Sequence, residues 1–153
     1  MDLDIYFVDA FSNRTFAGNP AAVIYTSLND DNLMQNIAAE NNLSETAFIN
    51  ISDNGNFIRW FSPTKEVDLC GHATLASAFI YFNFINTNTD IIEFESNGGL
   101  LRVNKKDNFL ELDFPKDTFS ISDNENVVCN AVGLKPIETY MGEINLMAVY
   151  ENE

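Results

Sequence analysis

The sequence predicts an α+β fold: a small, mostly antiparallel, barrel-like sheet wrapped around one central buried helix, followed by a second, truncated repeat. Three observations carry this expectation. Short runs rich in Ile, Val, Phe and Tyr recur between Asn, Asp and Gly turns, which is how strands joined largely by hairpins read. Residues 67–84 open with a polar turn, Asp68–His72, and then turn apolar on almost every face. A helix of that kind must be covered by other elements. A second helical pattern, at Leu33, Met34, Ile37 and Ala38, is amphipathic and fits an outer face.

Taken in order, Asp4–Phe11 reads as a strand, Ser12–Pro20 as a loop broken by Asn13, Gly18 and Asn19-Pro20, and Ala21–Tyr25 as a strand paired with the first. Asp30 and Asp31 stand where an N-cap belongs, and Asn41-Asn42 ends the amphipathic helix. Leu43–Ile51 and Phe57–Phe61 form a strand pair across the Asp53–Asn56 turn. After Pro63-Thr64 comes the apolar helix, whose amide-rich N-terminus starts at Gly71-His72 and offers a seat for a carboxylate. Ile91–Glu95, a turn at Asn97–Gly99, and a hairpin of Leu100–Val103 with Phe109–Phe114 complete a domain over residues 1–115. Residues 116–136 read as a linker carrying a short helix, Asn126–Val132, closed by Gly133. Ile137–Met141 and Ile144–Tyr150 then look like the first strands of an incomplete second domain over residues 137–153.

The chain has 153 residues, 23 acidic against 8 basic side chains, and a formal net charge of -15. That balance speaks against binding nucleic acid or an anionic membrane, both of which need a positive footprint. The opening residues carry no basic stretch, the longest apolar run is too short to span a bilayer, and the two cysteines make no disulfide framework. The expectation is a cytoplasmic protein with free thiols.

Three residues are candidates for chemistry. In an extended segment 43–49, Glu45 shares the side of Leu43, Ala47 and Ile49, which makes it a candidate base; the alternative is an edge-strand carboxylate paired with Arg59. His72, the sole histidine, is either a neutral proton donor or relay at a helix start or a capping side chain. Cys70, at the same helix start, has its thiolate favoured and is a possible thiol nucleophile, or else is a small buried hydrophobe. Gly71 is what close backbone approach to a ligand would require. One His with the distant Cys70 and Cys129 supplies no clustered ligand set, so no metal is expected.

Three segments, Phe16–Val23, Glu40–Phe48 and Arg59–Ala76, resemble in composition, order and spacing the phenazine biosynthesis PhzF-like isomerase family, whose fold is that of diaminopimelate epimerase. The resemblance spans essentially the whole chain but about half of the family pattern. It implies two pseudo-twofold halves, each a small barrel around a helix, with both helix N-termini facing one cleft. It further implies that Glu45 is the acid/base that moves a carbon-bound proton. Gly71, His72 and Ala73 would form the substrate-binding helix start, and Asn19 would lie in the loop beside it. The implied substrate is a small carboxylated metabolite and no cofactor is implied. The missing half would come from a second copy in a homodimer or from a separately encoded C-terminal half. Two other readings stand beside this one. The chain is a truncated or split-gene piece that binds a ligand or partner without catalysis, or it is a thiol racemase using Cys70, since Cys70-Gly71-His72 also resembles the thiol-bearing turn of proline racemases.

Overall fold

A computed structural model describes residues 2–53 and 55–152. The chain divides into two compact units, one up to Pro115 and one from Lys116 onward. In the first, strands β1 (Tyr6–Ala10), β2 (Asn19–Tyr25), β3 (Glu45–Ser52), β4 (Gly55–Phe61), β5 (Glu66–Val67), β6 (Ile91–Ser96), β7 (Gly99–Lys106) and β8 (Phe109–Asp113) form one sheet. Its order is β1-β2-β3-β4-β6-β7-β8, with β5 on β4. Five of the pairings are antiparallel, as expected, but β2–β3 and β4–β6 run parallel. Each parallel step needs a crossover, and helices α1 (Asp31–Asn41) and α2 (Gly71–Ile80) supply them.

The sheet curls because α2 lies inside it, in contact with β1, β2, β3 and β8, strands from both ends of the order. Alternation along each strand sorts side chains between two cores. Ala21, Val23, Ala47, Ile49, Ile58 and Trp60 face inward onto Ala73, Ala76 and Ile80 of α2. Ile24, Phe48 and Phe61 face outward under Met34 and Ala38 of α1. Burying hydroxyls in α2 is possible because Thr74 and Ser77 donate to the carbonyls of Cys70 and Ala73, one turn back. The helix then widens into a π-turn over Tyr81–Ile85, where the Asn86 amide donates to the Tyr81 carbonyl at 2.8 Å.

Helix α1 begins and ends as its sequence predicts. The Asp30 carboxylate accepts from the Leu33 amide at 3.1 Å, and Asn42 closes the helix in the left-handed conformation at φ 50°. The predicted loop Ser12–Pro20 is shorter than expected, because β2 already starts at Asn19, paired with Ala10. Gly18 makes that entry possible: a Cβ there would collide with the Ala10 carbonyl oxygen. The turn expected over Asp53–Asn56 includes Asn54, which lies outside the described residues; Ser52 and Gly55 pair on either side of it.

The second unit contains α3 (Glu125–Val132), closed by Gly133 at φ 83°, and a sheet of order β11-β10-β9. Its strands are β9 (Ser120–Ile121), β10 (Glu138–Met141) and β11 (Leu146–Val149). The stretch read as a linker therefore carries a strand: Ile121 and Ser120 pair with Tyr140 and Met141. The buried Thr139 hydroxyl donates to the Ser122 carbonyl at 2.6 Å and fastens this edge. Among the described residues, no helix is long and apolar enough to cross a membrane.

Candidate active site

The site lies in the first unit, where the start of β3 meets the start of α2. Parallel pairing sets Glu45 opposite Ala21, so that it opens β3 on the inner face, ahead of Ala47 and Ile49. Cys70 is the N-cap of α2 in extended conformation, Gly71 its first residue and His72 its second. The two chain segments converge on a carboxylate–imidazole pair, with Nε2 of His72 3.4 Å from Oε2 of Glu45. On its other side, Nδ1 of His72 is 3.4 Å from Sγ of Cys70. The imidazole is buried and the carboxylate about 21% exposed, so the pair has an inner and an outer end.

Nε2 is close to Glu45 but not aligned with it as a hydrogen bond, and it has no other partner. Among the described residues, only Trp60 Nε1, from an inward-facing side chain, shares that state. A buried donor or acceptor without a partner costs about 1–3 kcal/mol. No side chain caps α2 by a hydrogen bond, and the amides of its first turn point toward the site beside the Cys70 sulfur.

Other predicted residues fall in different relations to the pair. Asn19, half-buried, opens β2 and shares the inward face of Ala21 and Val23, one step beyond the position opposite Glu45. Ala73 has no exposed surface and belongs to the core beneath the helix start. At Gly71, a Cβ would stand 3.1 Å from the Phe114 ring, a tight contact, so that aromatic also favours a residue without a side chain at the helix start. Phe114 had no sequence signal beyond ending a hairpin.

Two sequence expectations are corrected. The helix start does not favour a Cys70 thiolate. Burial pushes the thiol up to about 12, and the adjacent Glu45 charge adds to this, outweighing the downward pull of the Ala73 and His72 amides. Nor does the chain lack a clustered donor set: Glu45, Cys70 and His72 each place one donor within 4.8 Å of the others. Thiols and imidazole alone make no such set; the β2–β3 pairing brings a carboxylate to them.

Arg59 is not the partner of Glu45. It points to the outer face, where its guanidinium binds both oxygens of Glu66 at 2.7 and 2.8 Å and Asp31 at 2.7 Å. A groove of about 780 Å³ lies elsewhere, between Asp9–Arg14, Leu75, Phe79 and Phe109, and includes none of the three clustered residues.

A curled sheet around a buried helix whose uncapped start meets a carboxylate and an imidazole defines an epimerase-like half-barrel. Comparison with known proteins narrows the class. Residues 8–138 match the PhzC-PhzF family of phenazine biosynthesis-like proteins, and the chain belongs to that family. It is 44% identical over 154 residues to an uncharacterized isomerase of Pseudomonas aeruginosa, covering 100% of this chain and 59% of that protein. An uncharacterized isomerase of Halalkalibacterium halodurans is 44% identical over 148 residues, covering 93% and 54%. The crystal structure of a phenazine biosynthesis PhzF family protein from Enterococcus faecalis superposes with a TM-score of 0.89 at 42% identity, covering 100% of this chain and 59% of that one. The chain thus spans a little over half the length of these relatives.

Proposed function

We propose that this chain contributes the proton-transfer half of an isomerase or epimerase acting on a small carboxylated metabolite. The observation that carries the reading is the convergence of Glu45 and His72, 3.4 Å apart, at the start of a buried helix with no side-chain cap. Glu45 takes a proton from a carbon next to an electron-withdrawing group and returns it to another carbon or to the opposite face. The electron pair left behind becomes an enolate-type anion. The helix-start amides and Nε2 of His72 stabilise it, their dipoles being already in place when the charge develops. The substrate carboxylate rests on the Gly71-His72 end of the helix, with Asn19 on the same face. No step of this scheme draws on a cofactor.

Family membership and the isomerase relatives support this reading; the protonated Cys70 thiol weighs against the thiol-racemase alternative. An opposing set of polar groups is needed to hold the far side of the substrate. In this proposal it comes from further polypeptide.

The test is solvent-hydrogen exchange. The purified chain, alone and with candidate partner polypeptides, is incubated in deuterated water with a panel of small carboxylic metabolites and read by NMR. Deuterium should enter at one carbon of one substrate, and Glu45→Gln should slow entry by about 10²–10⁴-fold. Exchange that persists unchanged in Glu45→Gln sinks the assignment.

A further inference from the structure

We propose that Cys70 is a positioning residue: its thiol donates to Nδ1 of His72 and so keeps the ring proton on Nε2, the nitrogen that faces Glu45. This deepens the proton-transfer reading above and rests on it for its consequence, though not for its geometry.

A neutral imidazole has one N–H and one bare nitrogen, so fixing either fixes the other. Nε2 sits 3.4 Å from Oε2 of Glu45, and an ionised carboxylate can only accept. A bare Nε2 would set a lone pair against that oxygen inside a buried site, which low dielectric makes costly. The proton therefore belongs on Nε2, and Nδ1 is an acceptor. The atom that faces Nδ1 is Sγ of Cys70, at 3.4 Å, within the range of a hydrogen bond to sulfur. Burial keeps the proton on that sulfur.

A second arrangement competes for the single thiol proton. The Cys70 S–H can turn to Glu45 instead, with Nδ1–H donating to sulfur. It leaves Nε2 bare, its lone pair set against the carboxylate oxygen, which is the costlier contact. Cys70 itself is held still: it is buried, extended at φ -147°, and its carbonyl accepts the Thr74 hydroxyl from the next turn. The arrangement reads S–H to Nδ1, then Nε2–H toward Oε2. Nε2–H is then a donor that a developing substrate anion can take over from Glu45, and its present lack of an aligned partner leaves it free to do so.

The chain has one histidine, so a ¹⁵N-labelled sample gives a single pair of ring nitrogen signals. These are recorded at about pH 8, where an ordinary imidazole is neutral. Couplings to the two ring C–H protons identify each nitrogen. In the wild type, Nε2 should resonate as N–H and Nδ1 as bare. Cys70→Ala, which removes the donor, should move a measurable share of the ring to the Nδ1–H form. Cys70→Ser, whose hydroxyl can donate, should restore the wild-type pattern. An Nδ1–H ring in the wild type overturns the proposal, and so does a pattern unchanged in Cys70→Ala.

The activity arm separates the two readings. If exchange is found, Cys70→Ala should lower kcat with little change in KM, and Cys70→Ser should recover it. If the tautomer responds to Cys70 while no substrate exchanges, the positioning role stands and the isomerase reading fails.

Discussion

Up to Pro115 the chain buries Trp60, Phe82, Phe94, Ile58 and Leu101, whereas from Lys116 onward Val128, Pro136 and Thr139 are the buried residues among the described ones. Both units are supplied with apolar residues. In the second, Ile121, Leu134, Ile137 and Ile144 are more than half exposed. A strand buries its apolar face only when something lies across it. The first unit holds α2 inside its curl and α1 against the outer face of β2, β3 and β4, so its whole inner face and the centre of its outer face are covered. The second has three short strands and one eight-residue helix. Apolar content decided neither outcome; the presence of a covering layer did. The candidate site follows the same division, since a carboxylate and an imidazole keep a fixed distance only where the elements carrying them are packed.

Three measurements press on this contrast. The largest effect is expected from truncating the deep core. Phe94→Ala should cost the first unit about 3–5 kcal/mol. Val128→Ala, removing two carbons from a thin core, should cost about 1–2 kcal/mol. Urea titrations can compare them, because Trp60 is the one tryptophan and its fluorescence reports the first unit, with circular dichroism following both. Equal costs would erase the distinction between the units.

Next in size is the reactivity of the two thiols. With Cys70 pushed up to about 12 from 9.0, its thiolate fraction near neutral pH falls by about 10³-fold. Half-buried Cys129 should be alkylated first, and Cys70 only as the first unit opens. The sign for stability follows from the same shift. The folded state holds the proton more tightly than the unfolded chain, so this contribution is complete below about pH 9 and is lost as pH rises toward 12. Mass spectrometry of the alkylated chain at pH 8 and pH 10 would show whether Cys70 reacts early, which would refute its burial.

The smallest effect concerns helix starts. Asp30 caps α1 through the Leu33 amide, and Asp30→Ala should cost about 1 kcal/mol. Asn124 precedes α3 without a side-chain cap bond, so Asn124→Ala should cost a few tenths at most. A larger loss at Asn124 than at Asp30 would mean that α3 is held by its start rather than by packing.

Much of this was readable in the residues themselves. The α+β class, the limits of α1, the buried α2 beginning at Gly71, the hairpin β7–β8 and the closing Gly133 all depend on neighbours within a few positions. Caps, turns and apolar periodicity are local, so sequence determines them directly. The segments carrying Glu45, Gly71 and His72 also marked the family, because a motif is local too. What tertiary structure alone decided is everything that joins distant residues. The parallel β2–β3 and β4–β6 pairings, the commitment of Arg59 to Glu66 and Asp31, and Phe114 over Gly71 come from packing between segments far apart in the chain. Cys70 shows the reason most clearly. Its helix-start position favours a thiolate, yet burial and Glu45, brought from 25 positions away, hold the proton on sulfur.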